Sequence, residues 1–416
     1  MKEKKERLFH KDFTLVVIGQ IISLFGNAVL RYALPLYLLN QTHSAVLFGI
    51  VSACSFIPMI VLAPVGGIVA DRVNKRNVMV ILDFSTAALI LLFMGLLQRV
   101  DLVVLLIVVL MILYGIQGAY QPTVQAAIPV LTEVDNLMPA NAVINLVSSL
   151  ANLIGPVLGG ILFGFWGLRP ILILSIICFI CSAIMEIFIH IPFQRNKNQS
   201  NVFVMVKEDM RDSFQFIKRD NPIIGKVSII LAGINMIFSS LIIIGVPIII
   251  NEHLGFSQST GNRLYGYAQG ALAVGGLLGG VLAGVAGSKL KIQQSYRVIL
   301  FCTTTLLPIG IAVFFPLPAM VSYSVIVISC VVMMAFSTVF SVQMMAYVQQ
   351  ITPPQLIGKV MALIMCFVMC AHPMGQALYG MLFEILAGQI YIIFLIAFLI
   401  CIGLGLAAKR VFVRIG

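Results

Sequence analysis

The sequence predicts an all-α integral membrane protein with twelve transmembrane helices in two pseudo-symmetric six-helix bundles. Three observations carry that prediction. Of the 416 residues, 60% are hydrophobic and only 10% charged, with a mean hydropathy of +1.07, whereas soluble domains use roughly 45–50% apolar residues. The windows Tyr32 to Ala70, Leu102 to Thr132, Asn136 to Leu168, Val227 to Asn251, Leu264 to Ser288 and Val298 to Gly358 contain no Asp, Glu, Lys or Arg. Each exceeds the roughly 20 residues a helix needs to cross hydrocarbon. Lys and Arg fall almost wholly on alternate connections, as they do where basic loops stay cytoplasmic.

The first window breaks at Asn40-Gln41-Thr42-His43-Ser44 and the last at Pro316-Leu317-Pro318, both turn-forming sequences. The spans then read 13 to 39, 45 to 70, 77 to 98, 102 to 125, 139 to 165 and 168 to 190 in the first half. In the second half they read 223 to 250, 264 to 288, 296 to 316, 319 to 347, 358 to 384 and 389 to 410. The runs are continuously apolar, not the ten-residue alternating segments of a β-barrel. The basic head before the first span is followed by an apolar run too long for a signal peptide and without a small-residue cleavage site, so it is expected to remain as a span.

Basic residues gather at the N-terminus (Lys2, Lys4, Lys5, Arg7, Lys11), in the second connection, between Arg195 and Lys226, at Lys289, Lys291, Arg297 and Lys359, and at the C-terminus. The connections on the other side hold Arg99, Arg169 and Arg263. Both termini are expected to be cytoplasmic. The net charge of +11 is scattered over these loops without interleaved aromatics, which excludes a nucleic-acid surface and suits anionic lipid. All eight cysteines lie in apolar spans. The pairs Cys178/Cys181 and Cys366/Cys370 have no His or carboxylate cluster around them and read as packing residues.

Residues 191–221 form the only long polar stretch, giving bundles at 1–190 and 222–416. Within it Phe203, Val206, Met210, Phe214 and Ile217 recur at helical spacing, so the linker is expected to carry an amphipathic helix along the inner membrane face. The halves echo each other: Gly66–Asp71 (GGIVAD) and Gly279–Gly284 (GGVLAG) follow the second and eighth spans. Paired bundles are a transporter's plan, with substrate held between them near mid-membrane.

The short connection after the second span packs four charges into six positions, Gly67-x-x-x-Asp71-Arg72-x-Asn74-Lys75-Arg76. It resembles the G-x-x-x-D-R-x-G-R-R/K signature of the major facilitator superfamily, with Asn74 at the usual Gly; Asn also tolerates a left-handed turn. The resemblance implies a cytoplasmic latch in which Asp71 accepts hydrogen bonds from the start of the eleventh span, near Gly358. The basic residues would pair with lipid phosphate or with nearby acids, of which Asp83, Glu133 and Asp135 are candidates. In the fifth span Ala151-x-x-x-Gly155-Pro156-x-x-Gly159-Gly160 is similar to the superfamily's antiporter element; its other reading is close helix packing. Leu34–Ala45, Tyr120–Leu131 and the entries to spans five and eleven resemble the macrolide-efflux-type branch of bacterial drug exporters. Tyr114 stands where many relatives carry an Arg in the fourth span, and Asn27 near the position of a first-span carboxylate.

Depth along the spans puts Asn27, Tyr114, Gln117, Asn152, Asn235 and His372 near mid-membrane, where polar groups pair with one another or line a cavity. Arg31 lies one turn from Asn27. It either snorkels to the outer surface or acts as a cavity cation that attracts an anionic substrate or pairs with an acid such as Glu384 or Glu252. His372, at an expected break before Pro373, is either a satisfied core histidine or a proton relay. No phosphate-binding loop, H-E-x-x-H or G-x-S-x-G occurs, so no enzyme chemistry and no cofactor are expected.

The resemblance implies a monomeric multi-pass transporter of the bacterial inner (plasma) membrane. It would export amphipathic drugs by rocker-switch antiport, with a small-molecule substrate, a proton or other coupling ion, and membrane lipid as partners. The alternatives are an uptake symporter, a lipid or siderophore permease, and a non-transporting receptor.

Overall fold

The structure is a computed structural model describing residues 9–133, 136–191, 211, 214–286, 292–353 and 356–413, without the side chains of 64–72, 138 and 286. Among the described residues every regular element is helical, and twelve helices are long and apolar enough to cross a membrane. The first six are α1 Lys11–Thr42, α2 Ala45–Arg72, α3 Lys75–Leu96, α4 Leu102–Leu131, α5 Leu137–Trp166 and α6 Leu168–Ile187. The seventh span, Pro222–His253, joins α7 (Pro222–Ile234) and α8 (Ser240–Ile248) through a π-turn at Asn235–Ser239 and ends in another at Ile249–His253. Then follow α9 Gln258–Ala286, α10 Ser295–Thr304, α11 Leu306–Phe314, α12 Ala319–Ile351, α13 Ile357–Ile385 and α14 Tyr391–Phe412.

Local chemistry sets the ends. Asn74 caps α3 through the Arg76 amide (3.1 Å) and Asp101 caps α4 through the Val104 amide (3.0 Å), each satisfying a donor that the first turn leaves free. α5 stops at Gly167, whose φ of 73° suits a residue without Cβ. The ninth span is jointed between α10 and α11 because Pro308 cannot donate to the Thr304 carbonyl one turn earlier. Large apolar side chains such as Ile81, Leu91, Leu92, Phe165 and Trp166 stand exposed along the helices, the surface a lipid-facing helix requires and a soluble one avoids.

By packing, the chain divides into two compact units, taking their described residues from Met1–Thr42, Cys54–Gln199 and Gln258–Tyr267, and from His43–Ala53, Ser200–Ser257 and Ala268–Gly416. In the first unit α1 packs on α4, α5 and α6, and α3 packs on α4 and α6. Its core joins Phe13, Val16 and Leu24 of α1 to Tyr120, Val124 and Ile128 of α4 and Ile144 and Val147 of α5. In the second unit α13 lies along α7 and α8, and α10 and α11 pack on α12 and α14. Small residues permit the close approaches: a Cβ on Gly275 would lie 2.7 Å from the Val331 carbonyl, and one on Gly49 would lie 2.8 Å from the Gly380 Cα.

Three expectations change. The eighth span begins at Gln258, not residue 264, so Arg263 lies inside the helix instead of in a loop. Its guanidinium folds back on Ser259 O and Thr260 Oγ1 (both 3.3 Å) and over the Phe165 ring (4.5 Å), satisfying the charge locally. α13 runs unbroken through Pro373, as membrane helices can where neighbours and side chains satisfy the freed backbone groups. Of the amphipathic linker pattern, Phe203, Val206 and Met210 lie outside the described residues; Phe214 is exposed and Ile217 falls in a π-turn, Phe216–Asp220.

Candidate functional site

Two faces meet in the first unit. On α1 the residues Ser23, Asn27 and Arg31 recur every four positions, and on α4 Tyr114, Gln117 and Tyr120 recur every three, so each set lies along one side of its helix. The helices run antiparallel and the sets pair rung by rung. Arg31 places its guanidinium 4.2 Å from the Tyr114 ring centroid. Asn27 Nδ2 donates to Gln117 Oε1 at 2.9 Å. At the third rung each hydroxyl turns to a carboxylate, Ser23 Oγ donating to Asp83 Oδ1 at 3.0 Å and Tyr120 Oη to Glu186 Oε1 at 2.7 Å. Phe56 of α2 closes edge-on against Tyr114, with centroids 5.1 Å apart. Asn27 and Tyr114 are buried, while Arg31 and Gln117 are half-buried.

Of the alternatives open for Arg31, pairing with Glu384 or Glu252 is not what the structure shows. Arg31 binds an aromatic face, which suits a delocalised cation in apolar surroundings. Both acids offered to it are engaged elsewhere in the second unit. Glu252 meets His43 Nδ1 at 3.0 Å, and Glu384 Oε2 accepts from the Ser44 hydroxyl (2.9 Å) and the Val46 amide (3.0 Å).

The remaining candidates are dispersed. Asn152 stands exposed on α5. Asn235 bonds within its own helix, donating to Leu231 O (2.9 Å) and accepting from Ser239 (3.3 Å), where the π-turn widens the backbone. The carbonyl of His372 accepts from Ser240 Oγ at 3.2 Å.

In the fifth-span element, Gly155 faces Ala28, and a Cβ on Gly159 would lie 3.2 Å from the Tyr32 ring. A Cβ on Gly160 would lie 2.6 Å from the Gly266 Cα. The first turns of α9 are held there: Tyr32 Oη donates to Asn262 O (2.5 Å), Asn40 Nδ2 to Asn262 Oδ1 (3.0 Å), and Tyr32 stacks on Tyr265 at 5.0 Å.

Of the charged turn, Lys75 and Arg76 open α3 half-buried; the side chains of Gly67, Asp71 and Arg72 lie outside the described residues. Asp83 does not serve that turn. It is buried eight residues into α3, accepting from Ser23 Oγ at 3.0 Å. Glu186 of α6, absent from the candidates above, is buried beside it and accepts from Tyr120 Oη at 2.7 Å. The signal for both was present: each is the one acid in its span, and an intramembrane carboxylate is a functional candidate by default.

Twelve candidate spans among the described residues, with paired polar side chains inside the helical packing, have the architecture of a multi-pass transporter. The Major Facilitator Superfamily profile matches residues 16–375, and the chain belongs to that superfamily. It is a membrane-embedded transporter of small molecules, not an enzyme. It is 23% identical over 370 residues to macrolide efflux protein A of Streptococcus pyogenes, covering 88% of each chain. It is 27% identical over 190 residues to the multidrug resistance protein MdtG of Enterobacter lignolyticus, covering 44% of each. Its fold superimposes on the nucleoside transporter NupG with a TM-score of 0.75 at 13% identity, covering 96% of this chain and 98% of that one.

Proposed function

We propose that this protein exports amphipathic small molecules of macrolide-like or wider drug-like character by proton-coupled antiport, through rocker-switch alternating access. The observation that carries the reading is the full-length similarity to a macrolide efflux protein, covering 88% of both chains. The α1–α4 row supports it, since amide and aromatic–cation pairs offer exchangeable polar contacts within an apolar wall rich in Phe and Met, of which the chain has 27 and 20. Such walls repack around varied ligands.

In this reading residues 1–190 and 222–416 are the two moving bundles, 191–221 joins them, and both termini face the cytoplasm of a bacterial plasma membrane. The protein works as a monomer. Gly67, Asp71, Arg72, Lys75 and Arg76 form the cytoplasmic latch. Gly155, Pro156, Gly159 and Gly160 form a seam that slides during the cycle. Asn27, Arg31, Tyr114, Gln117, Asn152, Asn235 and His372 contribute to the substrate path.

Cells expressing the protein should accumulate less of a fluorescent macrolide or amphipathic dye than cells lacking it, and a protonophore should raise the level to that of the control. Unchanged accumulation across a panel of such compounds defeats the export reading, and gradient-driven gain replaces it with uptake.

A further inference from the structure

The α1–α4 row ends in a pair of acids that nothing described so far uses. Asp83 of α3 is 2% exposed and Glu186 of α6 is 0% exposed. Each has one satisfied oxygen: Asp83 Oδ1 takes the Ser23 hydroxyl, and Glu186 Oε1 takes the Tyr120 hydroxyl. The second oxygens, Asp83 Oδ2 and Glu186 Oε2, are buried without a donor. Ser182 sits between them and α1, donating to the Gly19 carbonyl at 3.1 Å. Gly19 lies against this part of α6: a Cβ there would be in ordinary contact, 3.5 Å from Ser182 Oγ and 3.9 Å from Glu186 Oε1.

A separate observation lies on α1 next to Gly19. Gln20 is 0% exposed, and neither its amide oxygen nor its nitrogen has a partner. It precedes Ser23 by three positions and Asn27 by seven, on the stripe of α1 that carries the row. A fully buried amide with both ends unanswered costs several kcal/mol in an apolar setting, so it marks a place prepared for an exchangeable occupant.

No Lys, Arg or His bonds either acid among the described residues. On the elements packed around the pair, α1 carries Lys11 and Asp12 in its first turn and Arg31, Tyr32 and Tyr37 further along; α3 carries Lys75 and Arg76 in its first turn. α4 carries Tyr114 and Tyr120, α6 carries Arg169 at its far end with Cys178 and Cys181, and α5 has no ionisable side chain. Two adjacent carboxylates in such surroundings cannot both remain charged and unpaired.

The occupant that fits is a proton. Calcium takes six to eight oxygen ligands and magnesium demands six. Here Asp83 Oδ2, Glu186 Oε2 and Gln20 Oε1 are the buried acceptors left over, and no group of three or more His, Cys, Asp or Glu side chains occurs among the described residues. Three acceptors are too few for a divalent ion, whereas a proton needs only one carboxylate oxygen to bind.

We propose that Asp83 and Glu186, with Gln20 as the neighbouring amide, form a proton-binding site that couples to substrate through the α1–α4 row. The role in coupling rests on the antiport reading; the binding of the proton does not. A proton taken from water on one side makes a carboxyl O–H, and the same proton leaves to water on the other, so nothing else is consumed. The rung Asn27–Gln117 lies between this pair and the Arg31–Tyr114 contact on the same two helices. A change in charge at the acids therefore acts on helices that also shape the candidate cavity.

The test is infrared titration of the purified protein in nanodiscs without substrate, together with pH-indicator measurement of proton release on adding the exported dye. The wild type should show a protonated-carboxyl band that Asp83→Asn and Glu186→Gln each diminish. Substrate-linked proton release should be lost in both variants, while Tyr120→Phe keeps the band and shifts its frequency. In proteoliposomes the two amide variants should lose the roughly tenfold substrate gradient that one coupled proton sustains per pH unit, yet still exchange substrate at equal pH. An unchanged band in both amide variants overturns the site. So does a wild-type band erased at fixed pH by sodium, potassium, magnesium or calcium, which would make it a cation site. Should neither amide variant fold, Tyr120→Phe decides, because a band unmoved by loss of the Glu186 donor overturns the site as well. A chain that shows the band but exports nothing defeats the antiport reading and leaves the proton site standing.

Discussion

Glu384, in the last turn of α13, caps the first turn of α2: its Oε2 receives the Val46 amide at 3.0 Å and the Ser44 hydroxyl at 2.9 Å. Ser44 in turn accepts the Leu47 amide at 3.3 Å. A carboxylate beside a helix N-terminus answers both the free amides and the positive end of the helix dipole. Glu384→Ala should lower stability by roughly 0.5–1 kcal/mol, the lower part of an N-cap's range because the carboxylate is solvent-exposed. Glu384→Gln, which keeps an acceptor, should lose less. Thermal unfolding of the purified variants checks the order, and equal losses would show that the cap carries no weight.

The latch proposed for Asp71 is the converse of this cap, with an acid at the end of α2 facing the start of α13. If the two serve opposite states of one cycle, Asp71→Asn should slow export in inverted vesicles while leaving the thermal stability conferred by the Glu384 cap in place. Transport at the wild-type rate in Asp71→Asn removes the latch from the mechanism.

His43 joins α1 to α2 with φ at 48°, the one non-glycine residue in the left-handed region among those described. That conformation costs an ordinary L-residue about 1–2 kcal/mol and a β-branched one more. His43→Val should therefore destabilise the protein, whereas His43→Gly should recover in backbone freedom most of what it loses with the exposed Glu252 contact. Comparing the two melting temperatures isolates the backbone from the ion pair; a His43→Gly variant that melts as early as His43→Val assigns the whole effect to the side chain.

The spans were legible because lipid imposes length and apolarity on every crossing, and the turns at Asn40–Ser44 and Pro316–Pro318 declare themselves by residue type. The α1–α4 row was half legible. Asn27, Arg31, Tyr114 and Gln117 stand out as polar groups at depth, but which rung faces which depends on helix rotation, and the sequence does not state it. Sequence therefore leaves Glu252 and Glu384 as possible partners for Arg31, and shows Tyr114 only as a departure from a family pattern. Proximity in sequence points Asp83 to the charged turn, whereas a helix carries it two turns away from Lys75. The contact between Gly160 and Gly266 was unreadable, since a glycine reveals nothing about which backbone comes close.

That contact allows a sharp comparison. A Cβ on Gly160 would lie 2.6 Å from the Gly266 Cα and 3.0 Å from the Asn262 carbonyl, whereas one on Gly280, further along α9, meets nothing within 4 Å. Gly160→Ala and Gly266→Ala force rigid backbone apart, an overpacking cost of about 1–3 kcal/mol. Both should impair export, and Gly280→Ala should leave it unchanged. Equal activity in all three would mean that α5 and α9 need not approach closely during transport.

Arg31 and Tyr114 supply the last test, because their contact can be dissected without disturbing the backbone. The guanidinium lies 4.2 Å from the ring centroid, a geometry worth about 0.5–2 kcal/mol according to how dry the pair is. Tyr114→Phe retains the face and should preserve stability and export. Tyr114→Leu removes it and leaves a half-buried cation without its partner, so it should cost more than Arg31→Met, which removes the cation itself and leaves Tyr114 able to pack against Phe56. In a double-mutant cycle the Tyr114→Leu and Arg31→Met losses should overlap by the energy of the contact. Strict additivity would show that the two side chains are neighbours without being partners. Arg31 would then be free to act on substrate alone, and Arg31→Met should selectively abolish transport of anionic compounds while sparing neutral ones.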